Sequence, residues 1–228
     1  MKVTYLQDFI NLLFPNICEA CGTSLYKNES TICTRCLYHL PKTNFHTHAE
    51  NPVETLFWGR IEIQLATAFF FYAKESLLQK LIHKLKYQGK KEIGYELGMF
   101  LGGTLKNSDF ILVDLIIPIP LHYKKEKKRG YNQSEYIAAG IAKTMNKPIK
   151  SNIVERHLAS SSQTSKSRYE RWKNVENVFK VKNGAALKGN HVLLVDDVLT
   201  TGATIEACAK EILGVPETKV SVAVLGVA

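Results

Sequence analysis

The sequence predicts an α/β protein whose mostly parallel sheet is flanked by helices, with a small four-cysteine zinc ribbon at its N-terminus. Three observations predict this: two CxxC pairs near the start, strand and helix patterns that alternate from about residue 110 onward, and a segment of four apolar residues, two acids and a hydroxyl-rich loop. Alternating strands and helices favour a parallel sheet covered on both faces.

Leu6, Phe9, Ile10 and Leu13 fall at helical spacing, and Asp8 and Asn11 interrupt any signal-peptide core. A short amphipathic helix ending near Pro15 is therefore expected, in a cytoplasmic protein with no membrane span. The pattern Cys18-x2-Cys21 follows, then eleven residues, then Cys33-x2-Cys36. Each CxxC turn aims two thiolates at one point, and two turns complete a tetrahedron with Zn–S distances of about 2.3 Å. A redox pair is the alternative, but redox CxxC motifs come singly in a βαβ setting. Four thiolates leave no open position, so a structural zinc is expected, with His39 on the surface. Cys208, alone in a helical pattern, reads as a small core residue.

His46–Pro52 is polar and reads as a linker. Ile61–Tyr72 suggests a strand or hairpin, Leu77–Tyr87 a helix stopped by Gly89, and Ile93–Leu105 a second helix weakened by its glycines. Phe110–Ile117 reads as a buried strand, Ser134–Met145 as a helix, and Asn152–Leu158 and Val175–Val181 as short strands. His191–Val195 is a strong strand, Thr204–Leu213 a helix and Lys219–Val227 a closing strand.

The chain carries a formal net charge of +9 in 228 residues. Between Leu121 and Lys180 fourteen basic residues face five acids, so the surplus lies in this middle segment. Such a field favours phosphate-bearing partners, either nucleic acid or a polyphosphate, over a plain solvated face.

Val192–Thr204 carries the chemistry. Val192 to Val195 make a buried strand, and Asp196 and Asp197 follow at its carboxyl end, where α/β sheets place ligands. Val198, Leu199, Thr200, Thr201, Gly202, Ala203 and Thr204 then lead into a helix, whose backbone N–H groups make an anion nest. Gly202 permits positive φ and close approach of a phosphate. No lysine follows the glycine, which excludes a P-loop, and no GxGxxG precedes the helix. The paired carboxylates suit the hydroxyls of a ribose whose 5′-phosphate sits on the loop. Two adjacent strand-end carboxylates are costly without a ligand or cation.

These thirteen residues resemble the phosphoribosyl pyrophosphate (PRPP) motif of type I phosphoribosyltransferases. Further segments resemble the ComF family: the double CxxC, Leu81–Gly89 (LIHKLKYQG), Pro118–His122 (PIPLH), Lys128–Ser134 (KRGYNQS), Gln163-Thr164 and Arg168–Val175. The resemblance implies a helix and zinc ribbon over residues 1–50 and a phosphoribosyltransferase-type domain over 51–228, with a variable hood at about 57–105 and a core at about 110–228. It implies that Asp196 and Asp197 contact the ribose hydroxyls, that Thr200 to Thr204 wrap the 5′-phosphate, and that Mg²⁺ accompanies PRPP. It places a pyrophosphate loop at Pro120–Asn132, with Leu121, His122, Lys124 and Arg129, and a closing lid at Ala159–Asn174, with Lys166 and Arg168.

Two functions follow from the resemblance. One is a binder of PRPP or a related ribose phosphate that also holds single-stranded DNA and works with DNA-uptake machinery in natural transformation. Tyr123, Tyr131, Tyr136, Tyr169 and Trp172 lie among its basic residues as candidates to stack on bases. The other is an active transferase that moves ribose 5-phosphate from PRPP to a nitrogenous acceptor, with Asp196, Asp197, Lys166 and Arg168 as catalytic candidates. The hood segment shows no polar cluster that matches a base.

Overall fold

The computed structural model describes residues 14–156 and 178–228. The expected N-terminal helix and the lid at Ala159–Asn174, with Lys166 and Arg168, lie outside the described residues.

The central sheet has four parallel strands in the order β1 (Ala66–Phe71), β6 (Lys219–Val227), β5 (His191–Leu199), β2 (Leu115–Pro118). A separate antiparallel pair joins β3 (Val154–Arg156) to β4 (Phe179–Val181). The seven described α-helices are α1 (Thr34–His39), α2 (Pro52–Thr55), α3 (Leu77–Tyr87), α4 (Lys91–Leu105), α5 (Tyr123–Arg129), α6 (Gln133–Met145) and α7 (Ala203–Leu213). A parallel sheet buries both faces, which is why β5 reads as an unbroken apolar run. Leu193 and Val195 join a core with α3, α4 and α6, while Val192 and Leu194 join one with α2 and α7.

Several elements differ from the sequence expectation. In Phe110–Ile117 only Leu115 onward is strand, and Asp109–Leu112 forms a 3₁₀ turn that buries Phe110. The expected strand at Ile61–Tyr72 is confined to β1, because pairing with β6 starts at Ala66. His46–Pro52 is not a free linker. The buried Asn51 donates to the carbonyls of His48 and Ala66 and accepts from Val53 N–H, tying this stretch to β1. The expected loop at Pro120–Asn132 holds a helix, α5, capped by His122 Nδ1 at its start and by Gly130 at φ +81° at its end. The strand expected to stop at Val195 runs on to Leu199, paired with Val227.

The glycines of α4 are not a weakness of that helix. A Cβ on Gly98 would lie 2.2 Å from the Ile137 carbonyl oxygen, and one on Gly140 2.1 Å from that of Tyr95. Glycine on both helices lets the backbones of α4 and α6 touch, which brings the start of α6 and its Ser134 against the end of β5.

The cysteine module packs directly on this body. Ile32 and Leu40 are buried in the same core as α3 and α4. Glu19 pairs with Lys84 at 2.9 Å and Lys90 at 2.7 Å, and Ser30 donates to Glu96 at 2.8 Å. The segment leaving the module runs antiparallel along β1, where Phe71 N–H donates to Pro41 and Thr43 N–H to Phe69. No described helix is long and apolar enough to cross a membrane.

Candidate functional site

Two sites take shape. The first is the cysteine cluster, where the Sγ atoms of Cys18, Cys21, Cys33 and Cys36 all lie within 4.8 Å of one another. Cys21 and Cys33 are 3.8 Å apart, about the edge of a tetrahedron with 2.3 Å arms. Backbone N–H groups of Ala20 and Cys33 point at Cys18 Sγ, and that of Cys36 at Cys33 Sγ. Donors aimed at sulfur suit thiolates, the form that binds metal. Hydrogen bonding to Thr23 holds the Cys21 thiol down at about 6, and burial pushes Cys33 and Cys36 up. The four residues fit a metal ion such as zinc, with a closed ligand shell. Cys208 is fully buried and its thiol is pushed up by burial, as a core residue should be.

The second site lies at the carboxyl end of β5. Asp196 Oδ1 accepts from Ser134 Oγ at 2.8 Å and from the Asp197 N–H at 2.9 Å. Burial, and then the charge of Asp197, push the Asp196 carboxyl up to about 7, while the Ser134 hydroxyl acts against the shift. Asp197 is only 4% exposed. Lys86 Nζ, from the last turn of α3, donates to its Oδ1 at 2.9 Å and stands 2.8 Å from its Oδ2, an oxygen with no hydrogen-bond geometry to any described group. One ammonium therefore serves both oxygens of a buried carboxylate. A buried charge left without such a partner costs several kcal/mol.

The loop after β5 lines a small hollow of about 50 Å³ together with Asp196. Gly202 has φ +77°, and a Cβ there would meet Phe57 at 3.0 Å and Leu56 at 3.1 Å. The sequence assigned this glycine to positive φ and to phosphate approach. The positive φ is present, and packing against Leu56 and Phe57 is a further constraint. Arg60 grips the loop from outside: its guanidinium donates to the carbonyls of Leu56 at 3.2 Å and Thr201 at 3.1 Å and pairs with Glu206. Lys210, and then Arg60, hold Glu206 below the usual carboxylate range against the effect of burial.

Because β2 and β5 are parallel neighbours, the chain leaving β2 emerges beside Asp196. Ile119 N–H donates to the Val195 carbonyl, and Asn132 Nδ2 donates to Ile119. Leu121 and His122 follow, and then α5 carries Lys124, Lys125, Lys127 and Lys128, all exposed. Arg129 is already engaged: it donates to Gln133 Oε1 at 2.6 Å and lies 5.1 Å from the Tyr87 ring centre. Of the tyrosines expected to stack, Tyr123 is exposed. Tyr131 is half-buried, and its hydroxyl donates to the Leu85 carbonyl.

The structure thus brings Asp196, Asp197, the loop to Thr204 and the start of the basic segment to one edge of the sheet. Three residues without an assigned role join them. Lys86 and Ser134 lay inside motif segments, which was the available signal. Arg60 carried none, since nothing near it in sequence marks it.

A four-stranded parallel sheet flanked by helices, with an acid pair and a hydroxyl loop at its carboxyl edge, has the phosphoribosyltransferase-type fold. Residues 132–226 match the family model described as the phosphoribosyl transferase domain, and the chain carries that domain with the type I fold. Relatives extend the likeness beyond it. The chain is 28% identical to the DNA utilization protein YhgH of Escherichia coli (strain K12), over 86% of this chain and 84% of that protein. It is 27% identical to the competence protein ComFC of Bacillus subtilis (strain 168), over 92% of this chain and 83% of that one. It is 32% identical to the competence protein F of Haemophilus influenzae (strain Rd), over 63% of this chain and 66% of that protein. The chain is a homologue of these competence and DNA-utilization proteins.

Proposed function

We propose that this protein binds Mg²⁺-PRPP, or a related ribose phosphate, at Asp196, Asp197 and Val198–Thr204, holds single-stranded DNA on its basic surface, and acts in DNA uptake. One observation carries the reading: a buried carboxylate, Asp197, whose charge is met by a single lysine beside an anion-type loop. The ribose hydroxyls would take up the acid pair, and the loop N–H groups at the start of α7 would take the 5′-phosphate. The exposed lysines of α5 would meet pyrophosphate or the DNA backbone. The names of the competence and DNA-utilization relatives support the DNA role. The cysteine cluster is assigned a structural zinc.

Calorimetry with Mg²⁺-PRPP tests the ribose site. Asp197→Ala removes a charged acceptor worth about 1.5–3 kcal/mol, so affinity should fall roughly 10- to 150-fold. Equal affinity in variant and parent overturns the assignment. For DNA, log affinity should fall with log salt at about −0.7 per phosphate neutralised. Changing Lys124, Lys125, Lys127 and Lys128 to Ala should flatten that slope, and Asp196→Ala should not. Absence of salt-sensitive binding in the parent ends the DNA reading. If ribose transfer occurs, pyrophosphate is released when the right nitrogenous acceptor is supplied, and a screen of bases and amines reads this directly.

A further inference from the structure

The two acids at the end of β5 are alike in sequence and placed unlike in the fold. Asp196 lines the hollow together with Val198–Ile205, and its Oδ1 is held by Ser134 and by the Asp197 N–H. Asp197 does not line that hollow, and it is 4% exposed. Lys86 Nζ stands against it instead, 2.9 Å from Oδ1 and 2.8 Å from Oδ2. Beyond that ammonium, Oδ2 has no partner among the described groups. The backbone that carries Lys86 is anchored, because Glu19 pairs with Lys84 and Lys90 on either side of it. The side chain is less confined. It is 22% exposed and lines a groove of about 600 Å³ between Glu19 and Ala20 of the cysteine module and one side of α3. Its flexible four-carbon stem lets the ammonium turn from Asp197 into the groove while the helix stays in place.

We propose that Lys86 is a resident cation that competes with incoming ligands for Asp197, and so sets what the site accepts. A buried carboxylate needs a partner for its charge, and an ammonium, a metal ion or a hydroxyl donor can each supply one. Here the ammonium covers the carboxylate, so an incoming group meets Lys86 first. A free divalent cation is disfavoured, because the charge it would answer is already answered. A ribose hydroxyl gains Asp197 only in molecules whose ammonium has turned away, which lowers the apparent affinity. An ammonium that merely supported Asp197 would give the opposite sign, since its removal would weaken binding. The inference rests on the proposed ribose-phosphate reading and adds the residue that governs access to it.

The test is therefore a gain of binding. Mn²⁺ is titrated into the zinc-loaded protein at pH 8, with no sugar present, and read by electron paramagnetic resonance. The parent is expected to bind it weakly. Lys86→Met should bind it roughly tenfold more tightly or better, the worth of one contact to a charged group. Lys86→Gln, which keeps a neutral donor near Asp197, should gain less. Adding Asp197→Asn to Lys86→Met should abolish the gain. Ribose 5-phosphate, which brings hydroxyls without a diphosphate, should follow the same order in calorimetry. Equal or weaker Mn²⁺ binding in both single Lys86 variants overturns the inference, as does a gain that survives Asp197→Asn. An Mn²⁺ gain in proteins that take neither ribose 5-phosphate nor Mg²⁺-PRPP supports the resident cation and defeats the ribose site alone. Binding of Mg²⁺-PRPP by a parent whose Lys86 variants gain no Mn²⁺ defeats the resident cation alone.

Discussion

The cysteine cluster and the acid site are built in opposite ways. Cys18 to Cys36 span one short stretch, and the turns that carry the sulfurs also supply the N–H groups aimed at them. The acid site is assembled from Lys86, Ser134, Asp196 and Asp197, with Arg60 outside its loop, and these residues meet only after the sheet and its helices have packed. A centre with local ligands would depend on the metal its four sulfurs can hold, whereas a centre with distant ligands depends on the whole fold. The difference predicts how each one fails.

The largest effect is expected at the cysteines. Metal binding that orders a small module carries folding free energy with it. Ile32 and Leu40 tie this module into the core around α3 and α4, so the damage should spread. Cys36→Ser, or a strong chelator, should abolish zinc content and lower the Tm of the chain by roughly 10 °C or more. A zinc-free protein with an unchanged Tm would show that the module does not support the domain.

Next comes Lys86. Lys86→Met leaves the Asp197 carboxylate buried without its partner, at a cost of about 3–5 kcal/mol in denaturant unfolding. The double change Lys86→Met with Asp197→Asn should recover much of that loss, because it removes the stranded charge as well. If the double variant is no better than the single one, the lysine acts through packing and not through charge.

Asp196 gives a smaller, pH-dependent effect. Its carboxyl in the folded state sits at about 7, above its ordinary 3.8. The native state therefore keeps a proton that the unfolded chain has released, and stability falls as pH rises from about 4 through 7. Asp196→Asn should remove this contribution, so the variant should gain Tm relative to the parent at pH 8 and little at pH 4. A gain of equal size at both pH values would contradict the shift.

The smallest effect belongs to Arg60, a partly exposed clamp on the loop. Arg60→Met should cost about 1 kcal/mol of stability or less. If the clamp also orders Thr201, the same change should raise the Kd for PRPP. An unchanged Kd would confine Arg60 to holding α7 against its neighbours.

How much was legible in advance follows from the same contrast. The helices Leu77–Tyr87 and Ser134–Met145 declare themselves by apolar spacing, with Leu78, Leu81, Ile82 and Leu85 buried in the first. The run Phe110–Ile117 misled because an apolar segment suits a buried 3₁₀ turn as well as a strand. The lysines of α5 read as a loop because charge without apolar periodicity gives no helical signal, and His122 and Gly130 cap it nonetheless.

By itself the sequence determined what is local: the four-thiolate set, the strand–acid–loop segment and the amphipathic helices, each specified by neighbours along the chain. Tertiary structure alone decided which distant groups answer them. Gly98 and Gly140 allow α4 and α6 to touch. The end of α3 places Lys86 on Asp197, and the docked cysteine module makes a groove beside it. Spacing encodes contacts within an element. Contacts between elements arise only where buried surfaces fit, and the partner of a buried charge is one of them.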